Sequence, residues 1–108
     1  MQAVRSISPH DYAAARQSGQ PHVLIDVREP WEFSIARIDG AMLMPLAQIE
    51  EWAATLDRAA AYVLMCHHGV RSRVACQMMN SWGFRDVTNL DGGIEAWSYS
   101  VDPATPRY

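Results

Sequence analysis

The sequence contains no lysine: all nine basic residues among its 108 are arginines, scattered rather than clustered. That dispersal, with a formal net charge of −3, excludes the basic face that nucleic-acid binding needs. The missing lysine needs no explanation beyond codon bias, and no function is drawn from it. Long apolar runs are absent as well. No stretch approaches the roughly 18 apolar residues of a membrane helix, and the opening "MQAVRSISPHDYAAARQSG" lacks the apolar core of a signal peptide. A cytoplasmic protein without membrane contact is therefore expected. Cysteine is scarce, with only Cys66 and Cys76. Their contexts differ and a reducing compartment keeps thiols free, so they read as separate thiols rather than a bridge. The spacing C-x9-C beside two histidines also lacks the rhythm of a structural zinc site, whose ligands come in pairs two to about four residues apart. No metal and no cofactor is expected.

What is present is ordinary globular composition. With 49% hydrophobic and 19% charged residues, no repeat and no low-complexity linker, the chain suits one domain over residues 1–108 that buries about two-thirds of its unfolded surface. Short apolar, β-branched runs alternate with segments of helical period, which indicates β-α-β units on a mostly parallel sheet. The expected strands are "HVLIDV", residues 41–44, "AYVLM" and "DVTNL", with residues 4–7 as an edge strand. "SPHDYAAARQ" opens a helix with Ser8 as N-cap and Pro9 at its first position, ending near Gly19. "PLAQIEEWAATLD" places Leu46, Ile49, Ala53 and Leu56 on one helical face, and "RSRVACQMMNSWGF" does the same with Val74, Ala75, Met78, Met79 and Trp82, stopping at Gly83. "GGIEAW" is a short last helix, and the two prolines of "SVDPATPRY" bar its continuation.

Cys66 stands where the apolar run 61–65 stops and a helix beginning at Arg71 is about to start. In a parallel sheet, the turn from a strand's carboxyl end into a helix is where ligands bind, because backbone amides and the helix dipole converge there. Residues 66–71 can thus form an amide nest for negative charge. Gly69 supplies the backbone angles of a tight loop, and Arg71 adds a fixed positive charge at its rim. Such surroundings favour a thiolate and make it a nucleophile. Asp26 and Arg28, in "DVRE", follow a strand on the same sheet edge; a structural ion pair or loop anchor explains them better than acid–base work, and Glu32 is read the same way. Cys76 reads as a small buried hydrophobe. The methionines and Trp31, Trp52, Trp82 and Trp97 read as core or lid residues, Trp97 as a candidate shield for the site.

The string "CHHGVRS" resembles the active-site loop Cys-x-x-Gly-x-Arg-Ser of the rhodanese-like sulfurtransferases. "LIDVREPWEF" followed by "IDGAMLMPL" is similar to that family's Asp-Val-Arg and Gly-Ala signatures, and "NLDGGIEAW" to its closing Gly-Gly-x-x-x-Trp motif. Together these cover nearly the whole chain in order. The resemblance implies a three-layer α/β rhodanese-like fold, with a central five-stranded parallel sheet flanked by helices on both faces, as one single-domain rhodanese. It also implies thiosulfate sulfurtransferase chemistry. Cys66 is the catalytic nucleophile that takes a sulfane sulfur as a persulfide, and His67, His68, Gly69, Val70, Arg71 and Ser72 bind the substrate. The implied partners are a small sulfur donor and an acceptor: cyanide in vitro, and in the cell a thiol, a thioredoxin-like protein or a dedicated sulfur-acceptor protein.

Two departures stand out. Ala36, Arg37 and Ile38 replace the family's usual Gly-His-Ile, and His67 and His68 stand where many thiosulfate-using members carry basic or amide side chains. Donor capture is therefore expected to improve below about pH 7 as both rings protonate. A cysteine-dependent phosphatase or arsenate reductase is the first rival. Such enzymes space the residues Cys-x5-Arg, whereas Cys66 to Arg71 is Cys-x4-Arg, a loop better sized for one sulfur atom. A non-catalytic rhodanese-like binding module is the second; such modules commonly lack the cysteine that this chain keeps.

Overall fold

The run Ala61–Met65 is apolar at every position, as a strand must be when both faces are covered. A computed structural model, which describes residues 3–108, places it at the centre of a five-stranded sheet. In chain order the strands are β1 (Arg5–Ile7), β2 (Val23–Asp26), β3 (Met42–Leu43), β4 (Ala61–Met65) and β5 (Asp86–Leu90). Across the sheet they run β1-β5-β4-β2-β3, and each neighbouring pair is parallel. The connecting helices are α1 (Pro9–Gln17), α2 (Pro30–Ile35), α3 (Ile49–Ala53), α4 (Val70–Ser81) and α5 (Gly93–Ser100).

Successive side chains of a strand face opposite ways, and this divides the apolar residues into two cores. Tyr62 and Leu64 of β4 join Ile25, Val27, Ala75, Cys76 and Met79 beneath α3 and α4. Val63 and Met65 join Leu24, Leu90, Tyr12, Ile94 and Trp97 beneath α1 and α5. Side chains as enclosed as Leu64 and Met79, both 0% exposed, contribute about 1.5–3 kcal/mol each. The result is the expected three-layer α/β arrangement. No helix among the described residues is long and apolar enough to cross a membrane.

The helix signals act as the sequence suggests in most places. Ser8 Oγ accepts from the Asp11 amide at 3.1 Å and Pro9 opens α1. Some boundaries differ. α2 has no counterpart among the expected elements: its six residues make fewer than two turns and Glu32 is its only buried residue, so it shows no apolar periodicity. The expected continuous helix "PLAQIEEWAATLD" is split into a 3-10 turn (Leu46–Gln48) and α3, although Ile49 and Ala53 do face the core. On α4 the buried stripe is Ser72, Ala75, Cys76 and Met79, while Val74 is exposed. The helix starts at Val70, one residue early, and Val74, two residues from both Ser72 and Cys76, stands about 200° around the helix from each, on the opposite face. Within α5 the Ser98 hydroxyl donates to the Thr105 carbonyl at 2.7 Å, and beyond the helix the chain returns toward the carboxyl ends of the strands.

Candidate active site

The turn between β4 and α4 is shaped by glycine. Gly69 caps α4 with a φ of +98°, a left-handed conformation that side chains disfavour. This turn aims donors at the sulfur. Cys66 Sγ accepts from the Gly69 amide at 3.0 Å, from the Ser72 amide at 3.5 Å and from the Ser72 hydroxyl at 3.3 Å. The Ser72 hydroxyl also lies 2.5 Å from Asn89 Oδ1, and Asn89 Nδ2 donates to the Gly69 carbonyl at 3.1 Å. A hydroxyl has one proton to give, so Ser72 chooses between asparagine and sulfur according to the charge on the sulfur.

A second glycine holds the loop from below. The amides of Ile94 and Glu95, at the start of α5, donate to the carbonyls of Cys66 at 2.9 Å and His67 at 3.2 Å. Gly93, with φ +62°, makes that approach feasible, since a Cβ there would sit 2.4 Å from the Cys66 oxygen and 2.5 Å from the His67 oxygen. The Gly-Gly pair of "NLDGGIEAW" therefore has a direct task at the site.

An ionic clamp spans the mouth. Arg71 donates twice to Glu32, at 2.6 and 2.8 Å. Glu32 also accepts from the Glu29 amide at 3.0 Å and the Tyr108 hydroxyl at 2.7 Å. Arg71 is the main reason the Glu32 carboxyl is held down at about 2, with burial opposing and the other two donors assisting. Arg71 in turn is held firmly charged by that carboxylate. The Tyr108 hydroxyl accepts from Arg28 Nη1 at 2.7 Å, and burial pushes it up to about 12. Arg28 completes the chain: its Nη2 donates to Asp26 at 2.7 Å and to the Ala36 carbonyl at 2.6 Å, with both Arg28 and Asp26 fully enclosed.

Beside the clamp lies a stack of three rings. His67 has His68 at 3.9 Å and Tyr108 at 4.0 Å between centroids, both nearly parallel to it, which puts it in the middle. Burial, followed by the neighbouring His68, lowers the pKa of His67. The expectation that both rings gain charge just below neutrality is thus corrected for His67, which stays neutral to a lower pH. His68 instead faces a carboxylate, with Nε2 3.0 Å from Glu95 Oε2.

The residues expected at the site fall into three groups. Cys66, Gly69 and Ser72 surround the sulfur, and His67, His68 and Arg71 form the rim. Val70 opens α4 beside them and is 70% exposed. Asp26 and Arg28 bind each other and reach the rim only through Tyr108. Trp97 packs against Tyr12 at 5.9 Å in the α1–α5 core, away from the role of shield. Cys76 is buried, and desolvation pushes its thiol up to about 12. Tyr108, Asn89 and Glu95 were not anticipated. Asn89 and Glu95 lie within the quoted closing motif, but nothing local marks Tyr108.

Two amides and a hydroxyl thus converge on a buried sulfur, with the Arg71–Glu32 pair at the rim of the same loop. Comparison with known proteins identifies the family. The model of the family "Rhodanese-like domain" matches residues 8–100. The probable adenylyltransferase/sulfurtransferase MoeZ of Mycobacterium tuberculosis is 39% identical over 105 residues, covering 95% of this chain and 27% of that protein. Adenylyltransferase and sulfurtransferase MOCS3-2 of Zea mays is 33% identical over 109 residues, covering 94% of this chain and 23% of that protein. The chain thus spans about a quarter of the length of these curated relatives. Among solved structures, a rhodanese-related protein from Thermoplasma volcanium is 27% identical with a TM-score of 0.79, covering 94% of this chain and 95% of that one. The motifs, the sheet order and these matches lead to one conclusion: the chain belongs to the rhodanese-like domain family, a domain it shares with sulfurtransferases.

Proposed function

We propose that this protein is a sulfurtransferase that carries a sulfane sulfur on Cys66, with thiosulfate as a competent donor. The observation that carries the reading is the set of three donors converging on Cys66 Sγ. The thiolate attacks the outer sulfur of thiosulfate; a Cys66–sulfur bond forms, the donor's S–S bond breaks, and its electron pair leaves with sulfite. The new terminal sulfur keeps the negative charge and is held by the amides of residues 67–72, with the Ser72 hydroxyl free to turn toward it. In the second half-reaction an acceptor attacks that terminal sulfur, and the S–S electron pair returns to Cys66 as thiolate. Cyanide leaves as thiocyanate; in the cell a thiol, a thioredoxin-like protein or a dedicated acceptor protein takes the sulfur. Two covalent half-reactions predict ping-pong kinetics.

The test is an intact-protein mass spectrum after incubation with thiosulfate, then with cyanide, beside Cys66→Ser. A gain of one sulfur that the variant lacks and cyanide discharges is the expected result. No gain with thiosulfate or with persulfide donors would favour the binding module instead.

A further inference from the structure

Sulfur transfer leaves one cluster at the rim without a task. His67, His68 and Glu95 each offer one ligand atom, and the three atoms lie within 4.8 Å of one another. Stacking brings the two adjacent histidine rings to the same side of the loop. Glu95 arrives from α5, fixed to this loop by its own amide, which donates to the His67 carbonyl at 3.2 Å. One ligand pair, His68 Nε2 and Glu95 Oε2, is already 3.0 Å apart.

Two imidazoles and one carboxylate suit a borderline divalent cation such as zinc; calcium and magnesium prefer oxygen ligands throughout. Bonds of about 2.0–2.2 Å in a tetrahedral site put ligand atoms roughly 3.3–3.5 Å apart. Reaching that spacing takes only side-chain rotation, and His68 and Glu95, with side chains 57% and 38% exposed, are free to make it. His67 is the fixed member. Its ring rests on Tyr108, whose hydroxyl is bound by Arg28 and Glu32, and such outer support orients a ligand before the metal arrives. The sequence spacing that speaks against zinc covers Cys66, His67, His68 and Cys76 alone; here two ligands come from the β4–α4 loop and the third, Glu95, from α5.

We propose that His67, His68 and Glu95 bind one divalent cation of the zinc class at the rim of the Cys66 loop, leaving a fourth position open. The site stands independently of the sulfur chemistry. Because His67 directly follows Cys66, an occupied site ties the loop to α5 by a second link beside the amide bond.

The experiment titrates the metal-free protein with Co2+, read by its visible d–d absorption, and then displaces the cobalt with Zn2+ in competition with a chromophoric chelator. One equivalent of tetrahedral cobalt is expected. His68→Ala and Glu95→Gln each weaken binding at least about tenfold, whereas Cys66→Ser leaves it unchanged. Circular dichroism checks that these rim variants stay folded. Absence of binding by the wild type at micromolar metal would overturn the proposal. So would a near-ultraviolet thiolate-to-cobalt band lost in Cys66→Ser, with binding insensitive to Glu95→Gln, which would assign the metal to the thiol.

Discussion

Replacing Glu32 with glutamine probes the clamp across the mouth of the site. The carboxyl is nearly enclosed and held at about 2 against an ordinary 4.5, chiefly by Arg71. A displacement of that size corresponds to about 3 kcal/mol of preference for the charged form. Glutamine keeps a single oxygen, so it can accept from the Glu29 amide, as Oε1 does, or from the Tyr108 hydroxyl, as Oε2 does, but not from both, and it loses the charge. Arg71, 37% exposed, regains part of its solvation from water, so the expected destabilisation is about 2 kcal/mol. The folded-state value lies below the unfolded one. The stabilisation is therefore complete above about pH 5 and is lost as the pH falls through the carboxyl's ordinary value toward its folded one. Urea denaturation of wild type and Glu32→Gln along a descending pH series measures this, and Arg71→Met completes a double-mutant cycle. The gap between wild type and variant is expected to hold from pH 7 to about pH 5 and to narrow below about pH 4. A gap under about 0.5 kcal/mol at pH 7, or one that does not narrow in acid, would refute the reasoning.

Three further outcomes follow from the same geometry. Gly93→Ala drives a methyl into the carbonyls of Cys66 and His67 and is expected to cost about 3 kcal/mol or more in thermal unfolding, with sulfur transfer lost; an active, equally stable variant would contradict the described approach of α5. Tyr108→Phe removes the hydroxyl shared by Arg28 and Glu32 and should lower stability by about 1–2 kcal/mol in urea, whereas a neutral result would mean water replaces it at no cost. Cys76, with its thiol at about 12, should resist alkylation at pH 8 in the native protein and react only on unfolding; peptide mapping that finds it modified in folded protein would count against its burial.

The fold was largely legible because short runs rich in apolar and β-branched residues alternate with segments of helical period, β4 being apolar throughout as a strand covered on both faces can be. β4 and β5 fall on the expected residues, and β2 lies within its expected run. The same logic could not reveal α2, which carries no apolar stripe, nor the exposure of Val74, because 74, 75, 78, 79 and 82 recur at helical spacing as regularly as the 72, 75, 76 and 79 that are buried. At the site, the motif around Cys66 contains the residues that surround its sulfur because they are nearly consecutive in sequence. The clamp joins residues 39 apart, and Tyr108 reaches Glu32 across 76. Contacts of that span arise from the folded chain's path and leave no local pattern. Glu32 could be recognised as an anchor, but its partner could not.

The sulfur rides at the end of β4, the middle strand of the sheet, with β5 on one side and β2 on the other. Edge strands β1 and β3 can open locally while this centre stays closed, because local opening begins where few contacts hold the backbone. The Gly69 and Ser72 amides that face the sulfur should accordingly exchange with solvent deuterium only as fast as the whole molecule unfolds. A thiol so placed keeps its cradle through partial loosening of the sheet, and the cradle and the global fold disappear in a single step.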